Sequence, residues 1–406
     1  MMSGILIAGL ALAAQTTPGT MPADSWLSVP NTPMRSVAPV NGQFAGTWGV
    51  GGPGMVIAAW GGGALDTKRG RLILWGGGHA DYYGNELYAF DIASLGWTRL
   101  TDPTVNPVMD QEVNSDGTPN SRHTYGGLAY VAHADRFFGQ AGSLAGVGFA
   151  KCDKTWTFDF DAKKWTDRNP PTTSGGGFGV NCSYDPATKK VWWGRTGLWS
   201  YDYDANTWTK HNNDDFYYFT STVDTKRGQM IVVGNGEVFS YDLKNANYTK
   251  QPWTTTGGAS FIAKGNVGLD YDPATDKIVG WRGGSAYILD PVTQAWTVGT
   301  ATGAPSEGQN GIYGRWRYVP SVNAFVVVTG LDTNVHFYKM SAGGGSPPPV
   351  TPPPAPPPPP PPASSPPSPS SGDADPQRCG CGAASPGAGA SLIAFAVLGL
   401  IAMLRR

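Results

Sequence analysis

The sequence predicts an all-β fold, a six-bladed β-propeller closed by strands from both ends of the chain. A six-residue step from Asp to an aromatic residue recurs five times, at Asp91/Trp97, Asp159/Trp165, Asp202/Trp208, Asp242/Tyr248 and Asp290/Trp296. After a longer first interval, the Asp residues lie 43, 40 and 48 positions apart (159 to 202, 202 to 242 and 242 to 290). Such intervals are typical of propeller blades.

The step marks a β-hairpin in each block. Each Asp ends a short aromatic-rich run, such as LYAFD at residues 87–91, and the Trp or Tyr opens the next run. A second hairpin lies upstream, with the turn DPAT at residues 185–188 and 272–275 and the turn DTKRG at residues 66–70 and 224–228. Two hairpins give a four-stranded sheet, and such sheets bury both faces only by stacking around an axis.

The two ends of the chain supply the sixth blade. Residues 311–340 provide three strands without a closing aromatic step. Residues 24–30, which contain Trp26, have the pattern of an outer strand standing before the first block. We therefore expect an N-terminal strand to complete the last blade and to remove a free sheet edge. Residues 101–121 lack a strand pattern, which argues against a seventh blade.

The first block carries the clearest family signature, in residues 75–78 (WGGG), residues 85–91 (NELYAFD) and Trp97. This series of Gly, Tyr, Asp and Trp resembles the Kelch repeat and galactose-oxidase central-domain superfamily, over roughly residues 24–340. The resemblance implies the propeller fold, which supports oxidases, lyases and binding modules alike. The superfamily's copper-radical chemistry needs a Cys linked to a Tyr, whereas the two propeller cysteines are better explained by each other. We therefore expect no cofactor and no metal.

Composition indicates an exported domain that does not bind nucleic acid. The chain has four Cys, 15% charged residues and a formal net charge of −1, which argues against partners held by bulk electrostatics. Residues 1–20 are predicted to be a signal peptide because the apolar run of residues 4–13 ends in Ala-Leu-Ala. A buried strand is the alternative for this run. The propeller is expected to span residues 24–342.

The C-terminal part predicts display at the cell surface. Residues 343–372 form a Pro- and Ser-rich linker, and residues 373–406 contain Cys379, Cys381, an uncharged run and two terminal arginines. As a helix, the run at residues 383–404 spans roughly 33 Å, enough for a bilayer core of about 30 Å. This arrangement resembles a MYXO-CTERM-type sorting tail, which implies a processing protease acting near the cysteines. An ordinary membrane anchor is the alternative; either way the propeller lies outside, anchored or released after processing.

Cys152 and Cys182 are predicted to form a disulfide. They fall in neighbouring blades, and an exported protein favours oxidation. Closing a loop of about thirty residues would contribute roughly 3–4 kcal/mol in the chain-entropy model. Two separate buried thiols are the alternative.

Residues able to perform β-elimination are expected on one face of the propeller. The loops between second and third strands and the connections between blades emerge there together. Arg122 would neutralise a uronate carboxylate, and His79, His123 and Tyr125 are the acid–base candidates. Each of these histidines and Tyr125 could instead have a purely structural role in the core or in a turn.

The same face suits a binding module. Sugar rings stack on aromatic side chains while their hydroxyls take polar partners. The candidate ligand-binding residues are Asp81, Asn85, Trp193, Arg195, Trp281, Arg282, Asn310 and Arg315. We expect a propeller that binds a glycan or a surface protein on one face, with a polysaccharide lyase acting on a uronic-acid polymer as the alternative.

Overall fold

The computed structural model describes residues 16–148 and 152–340, which form an all-β, six-bladed propeller with very few helices. The predicted six blades are therefore confirmed. Each blade is an antiparallel sheet of four strands. The predicted linker, Cys379, Cys381, the C-terminal apolar run and residues 1–15 of the predicted signal peptide lie outside the described residues.

The strands follow one another in four-stranded units. The first strand is β1 (Ser25–Ser28). Blade one comprises β2 (Gly62–Asp66), β3 (Arg71–Trp75), β4 (Tyr88–Asp91) and β5 (Gly96–Arg99). The next strands are β6 (Arg122–His123), β7 (Leu128–Val131), β8 (Arg136–Gln140), β9 (Ser143–Leu144), β10 (Thr155–Asp159) and β11 (Lys164–Asp167). Of these, β6 pairs with β9, and the other four form blade two.

The remaining blades are regular. Blade three comprises β12 (Asn181–Asp185), β13 (Lys190–Arg195), β14 (Gly197–Asp202) and β15 (Thr207–Lys210). Blade four comprises β16 (Thr220–Asp224), β17 (Gln229–Gly234), β18 (Glu237–Asp242) and β19 (Asn247–Pro252). Blade five comprises β20 (Gly268–Asp272), β21 (Lys277–Trp281), β22 (Tyr287–Asp290) and β23 (Ala295–Val298). Blade six comprises β24 (Trp316–Val319), β25 (Ala324–Val327), β26 (His336–Lys339) and β1.

The first strand of each blade lies at the central axis, since these six strands contact one another around the ring. Because strands within a blade are antiparallel, the loops between second and third strands emerge with the inter-blade connections on one face. We call this the upper face. The first and last hairpin turns of each blade emerge on the opposite, lower face.

The ring is closed by the two ends of the propeller, as the sequence predicted. Strand β1 pairs with β26, which places Trp26 opposite Tyr338. The Trp26 ring also lies 5.6 Å from Trp281 of blade five and 6.0 Å from Trp316 of blade six, between ring centroids. The N-terminal strand thus belongs to the aromatic core that joins the last two blades.

Helical segments are short. They are α1 (Met55–Ala58), α2 (Ala259–Ile262) and 3₁₀ turns at Met34–Ser36, Gly52–Gly54, Ala132–Ala134 and Tyr313–Arg315. Within the described part of the chain, no helix has the length and apolar character needed to cross a membrane.

The recurrent Asp stabilises the outer hairpin turn of its blade. The Asp91 carboxylate accepts a hydrogen bond from the Ser94 N–H at 2.7 Å, and Asp290 accepts one from the Val292 N–H at 2.8 Å. The same Asx-turn contact is made by Asp159, Asp202 and Asp242. The carboxylate satisfies turn N–H groups that have no partner in the sheet, which is why Asp recurs there.

The recurrent aromatic residue packs each blade against the preceding one. The Trp165 ring of blade two lies 4.8 Å from Trp75 of blade one, and Tyr248 of blade four lies 5.2 Å from Trp192 of blade three. These contacts bury large apolar surfaces between sheets that would each expose two faces alone. The sequence repeat therefore reflects the inter-blade core.

The predicted disulfide between Cys152 and Cys182 is wrong, because both cysteines are free and buried. Cys182 lies in the axial strand β12 and packs with Tyr125 and Trp193. Cys152 precedes β10, and its Sγ lies 3.6 Å from the Gly142 carbonyl oxygen. Burial raises the pKa of each thiol to about 12, so both stay protonated near neutral pH.

Candidate functional site

One residue at the upper-face entry to each inner strand has a positive φ angle. These six residues are Trp60, Tyr125, Gly179, Tyr218, Asn266 and Tyr313, with φ of 49°, 48°, 64°, 62°, 58° and 50°. This left-handed conformation is unfavourable for residues other than Gly, by about 1 kcal/mol or more each. Five of the six are not Gly, so surrounding contacts hold the chain in this shape.

Backbone hydrogen bonds join these residues across blade boundaries. The Tyr125 N–H donates to the Trp60 carbonyl at 2.7 Å, and the Tyr218 N–H donates to the Gly179 carbonyl at 2.9 Å. The Asn266 N–H continues the series by donating to the Tyr218 carbonyl at 3.0 Å. The connections between blades are therefore positioned by their neighbours, and they present side chains from different blades close to the axis.

Three tyrosines close the axis at this face. The Tyr125 ring lies 5.9 Å from Tyr218 and 6.1 Å from Tyr313, between centroids. These residues belong to blades two, four and six, which are not neighbours, so their contacts cross the axis. Tyr125 and Tyr313 are buried, and burial raises the pKa of both phenols. Both phenols therefore remain neutral near pH 7.

A His–Asp pair lies beside the three tyrosines. His123 Nε2 is 2.7 Å from Asp81 Oδ2, and the imidazole stacks on the Trp60 ring at 5.0 Å. The His79 ring lies 5.9 Å from the His123 ring. The structure thus brings His79, Asp81, His123 and Tyr125 together, as the sequence predicted for one face, and adds Trp60.

The pair is positioned by pairing between two loops. His123 lies in β6, which pairs with β9, and the His79 N–H donates to the Leu144 carbonyl of β9 at 2.8 Å. The Gly78 φ angle is 83°, and a Cβ there would collide with the Arg122 backbone. Only glycine lets the blade-one loop approach β6 so closely.

The imidazole of His123 is a neutral hydrogen-bonding group near pH 7. Burial lowers its pKa and His79 adds to this effect, while Asp81 opposes it. A carboxylate can only accept, so His123 carries its proton on Nε2 and donates to Asp81. The second ring nitrogen, Nδ1, is then an acceptor or a base.

Arg122 lies behind this site. Successive residues of a strand point to opposite sides, so Arg122 is directed away from His123. Its side chain is buried, with the guanidinium 5.2 Å over the Trp75 ring, and Nε donates to the Asn120 carbonyl at 3.1 Å. The structure therefore does not bring the predicted cation together with the predicted bases.

Arg195 belongs to a second group on the upper face. Its guanidinium lies 4.4 Å over the Tyr217 ring, and Nη1 donates to Asp215 at 2.6 Å. Tyr217 is 41% exposed and lies 4.2 Å from Tyr218, between centroids. A Cβ on Gly179 would come 2.8 Å from the Tyr217 ring, so glycine makes room for this aromatic pair.

The two groups join into one line of side chains that we call the aromatic row. It consists of Trp60, His123, Tyr125, Tyr218 and Tyr217. Neighbouring ring centroids along the row are between 4.2 and 6.1 Å apart. Its two ends, Trp60 and Tyr217, are partly exposed, whereas Tyr125 is buried between them.

Four of the predicted ligand-binding residues are buried and occupied within the fold. Trp193 and Trp281 belong to inter-blade cores. Asn85 donates to the Thr118 hydroxyl at 2.8 Å and to the Pro119 carbonyl at 2.9 Å. Arg315 donates to the carbonyls of Gly61, Gly311 and Val328, and burial lowers its pKa to about 10. None of these four presents a free polar group to the upper face.

The other two predicted residues lie on the rim of the upper face. Arg282 Nε donates to Glu307 Oε1 at 2.8 Å. Asn310 is exposed, and its Nδ2 donates to the Ala58 carbonyl at 2.9 Å. Neither side chain belongs to the aromatic row.

No family model matches the chain, and no curated protein matches it in sequence. In the regions that the structure describes, no group of three or more His, Cys, Asp or Glu side chains is placed to hold a metal ion.

Proposed function

We propose that the chain is a binding propeller whose upper face binds a glycan along the aromatic row. The observation that carries this proposal is the continuity of the row, which crosses the axis from blade one to blade four. Sugar rings present apolar faces that stack on aromatic side chains. Trp60 and Tyr217 are the partly exposed rings that would receive them.

Polar groups flank both ends of the row and suit sugar hydroxyls. Asp81 is 30% exposed beside His123, and Asp215 is 70% exposed beside Arg195. Acceptors and donors next to an aromatic surface fix the orientation of a ring that stacking alone would leave free. A glycan with both apolar ring faces and hydroxyl edges uses all of these groups.

Features of the sequence support display of this face outside the cell. These are the apolar N-terminus, the Pro-rich linker and the C-terminal tail that resembles a MYXO-CTERM-type signal. The Kelch-like signature of the first block is compatible with a binding role, because propellers of that superfamily include binding modules.

A glycan array with the full chain tests the proposal. We expect the wild type to bind a subset of glycans and Tyr217→Ala to lose most of that signal, because the variant removes an exposed stacking ring. Tyr203→Ala is the matched control, since Tyr203 is a partly exposed aromatic residue in the lower-face turn of blade three. A wild type that binds no glycan, or a signal unchanged in Tyr217→Ala, contradicts the proposal.

The His123–Asp81 pair favours a polysaccharide lyase as the second candidate, because a neutral imidazole held by a carboxylate can act as a base. The burial of Arg122 behind the pair weighs against it, since Arg122 is not placed to neutralise a uronate beside His123. The ultraviolet absorbance of unsaturated uronate products decides between the two. We expect no rise with uronic-acid polymers; a rise abolished by His123→Ala would establish the lyase instead.

A further inference from the structure

A separate cavity of about 390 Å³ opens on the lower face. Its mouth is formed by one residue from the first hairpin turn of every blade. These are Thr67, Ala132, Pro186, Thr225, Pro273 and Pro320. No residue of the aromatic row lines this cavity. It is therefore an axial site distinct from the upper face, with a volume in the range of small-molecule pockets.

Below the mouth, the cavity wall is aromatic and apolar. Each blade again contributes one residue, and these are Leu65, Tyr130, Tyr184, Val223, Tyr271 and Tyr318. The tyrosine hydroxyls are used within the fold: Tyr271 donates to Asp276 at 2.9 Å, and Tyr318 donates to Asn323 at 2.8 Å. Their rings consequently present fixed apolar surface to the cavity.

The next layer inward breaks the symmetry of the propeller. Blades one to four place small uncharged side chains there, whereas blades five and six place charges. The six residues are Ala64, Ala129, Ser183, Thr222, Asp270 and Arg317. Four blades fold with a small neutral residue at this position, so the blade architecture does not require a charge there.

Asp270 is satisfied by protein groups. Its carboxylate accepts hydrogen bonds from the Tyr318 N–H at 2.9 Å, the Tyr271 N–H at 3.0 Å and the Thr222 hydroxyl at 3.1 Å. These donors come from blades four, five and six. Asp270 thus has a structural role, because it links three inner strands.

Arg317 is held less firmly. Its Nη1 forms an ion pair with Asp270 Oδ1 at 3.9 Å, beyond hydrogen-bond distance, and its side chain donates no hydrogen bond to any residue that the structure describes. The side chain is only 16% exposed, and it lines the cavity. By contrast, the buried Arg315 donates to three backbone carbonyls. Arg317 therefore keeps its planar set of donors for a group that enters the cavity.

We propose that this cavity binds a small organic carboxylate, with the carboxylate on Arg317 and an apolar body against the tyrosine layer. A guanidinium matches a carboxylate through two parallel hydrogen bonds. The ligand is a monoanion, because Asp270 lies close enough to disfavour a second negative charge. This proposal does not depend on glycan binding at the upper face.

A fluorine NMR titration of the full chain with 4-fluorobenzoate tests the inference. The neutral 4-fluorobenzamide has nearly the same shape and reports binding without the charge. We expect the carboxylate to bind at least about tenfold more tightly than the amide, as befits a charge-assisted bidentate pair. Arg317→Gln should remove that preference, whereas Arg282→Gln, on the rim of the upper face, should leave it unchanged.

Two results would overturn the inference. One is a wild type that binds both probes equally or neither, and the other is a carboxylate preference that persists in Arg317→Gln. Arg317→Lys is a second variant that controls for a folding defect in Arg317→Gln. It keeps the positive charge but loses the planar set of guanidinium donors. It should bind the carboxylate with intermediate affinity. Glycan binding by the two Arg317 variants should not change, which separates this inference from the proposed function.

Discussion

Two identical DTKRG turns on the lower face provide an internal comparison of inter-blade ion pairs. Arg69 pairs with Asp66 of its own turn and, at 2.7 Å, with Asp135 of blade two. Arg227 pairs in the same way with its own Asp224 at 2.6 Å and with Asp276 of blade five at 2.7 Å. We predict that Arg227→Ala destabilises the propeller more than Arg69→Ala.

The difference arises from one neighbouring residue. The carboxylates of Asp66 and Asp224 are both fully buried. After Arg69→Ala, Asp66 keeps a second cation, because Arg71 Nη2 lies 2.8 Å from it. Blade four has Gln229 at the equivalent position. After Arg227→Ala, the backbone N–H of residue 227 is therefore the one hydrogen-bond donor that the described part of the chain still offers to the Asp224 carboxylate.

The magnitudes follow from this geometry. Removing the partner of a buried ion pair costs about 3–5 kcal/mol, and the partial exposure of Arg227 puts the loss near the lower limit, about 3 kcal/mol. Arg69→Ala loses charge-assisted hydrogen bonds but leaves no unpaired buried charge, which costs about 1.5 kcal/mol. The expected difference between the two variants is about 1.5 kcal/mol.

Equilibrium urea unfolding of the full chain measures both losses. Lys277→Ala is the control, because Lys277 and Asp290 form a pair with each side chain about one-third exposed, and such pairs contribute little, about 0–1 kcal/mol. Equal losses for the two arginine variants, or a larger loss for Arg69→Ala, would refute the reasoning.

Three further predictions concern acid, reductant and a glycine. Hydrogen bonds from Arg227 hold the folded-state pKa of Asp276 well below its usual range. The ionised Asp276 carboxylate therefore stabilises the folded protein above the unfolded-state pKa of about 3.9, and this stabilisation is lost as the pH falls towards the folded-state pKa. Unfolding free energies should therefore drop between about pH 5 and 3, and an equally steep drop in Arg227→Ala would count against this cause. Reductant should leave the melting temperature unchanged, because the two propeller cysteines are free thiols; a marked fall would contradict this. Gly179→Ala should lower stability by about 1–2 kcal/mol in the same urea assay and weaken glycan binding, because its φ is positive and a Cβ would displace Tyr217; full retention of both would count against this packing.

The fold could be predicted because its signals are local and repeated. The step from Asp to Trp encodes an Asx turn, as at Asp91, and an inter-blade contact, as at Trp165. Both recur at blade spacing in blades one to five, whose third and fourth strands are joined by a turn, whereas β1 supplies the outer strand of blade six. The disulfide failed for the opposite reason: sequence proximity of Cys152 and Cys182 to a blade boundary does not specify where each thiol points.

The site was only partly predictable. His79, Asp81 and His123 were expected on one face, but Trp60 and Tyr217 were not, because they lie in connections without periodicity. The sequence signal for both residues is an aromatic side chain within three positions of the start of an inner strand. Trp60 lies two positions before β2, and Tyr217 lies three positions before β16.

Arg122 and Arg317 differ in how far the sequence alone indicates the location of the side chain. Arg122 could be oriented only once β6 was known to pair with β9. The unusual position of Arg317 is visible in the sequence, since alignment of the inner strands places it where four other blades have Ala, Ser or Thr. Equivalent positions of different blades therefore carry information that local motifs do not.

The most direct test of the proposed function is a calorimetric titration of the full chain with the glycan that binds best on the array. Trp60→Ala and Tyr217→Ala should each weaken binding at least about tenfold, because they remove the exposed stacking rings at the two ends of the row. Tyr203→Ala should bind like the wild type. Unchanged affinity in both row variants would show that the glycan binds elsewhere and would contradict the proposal.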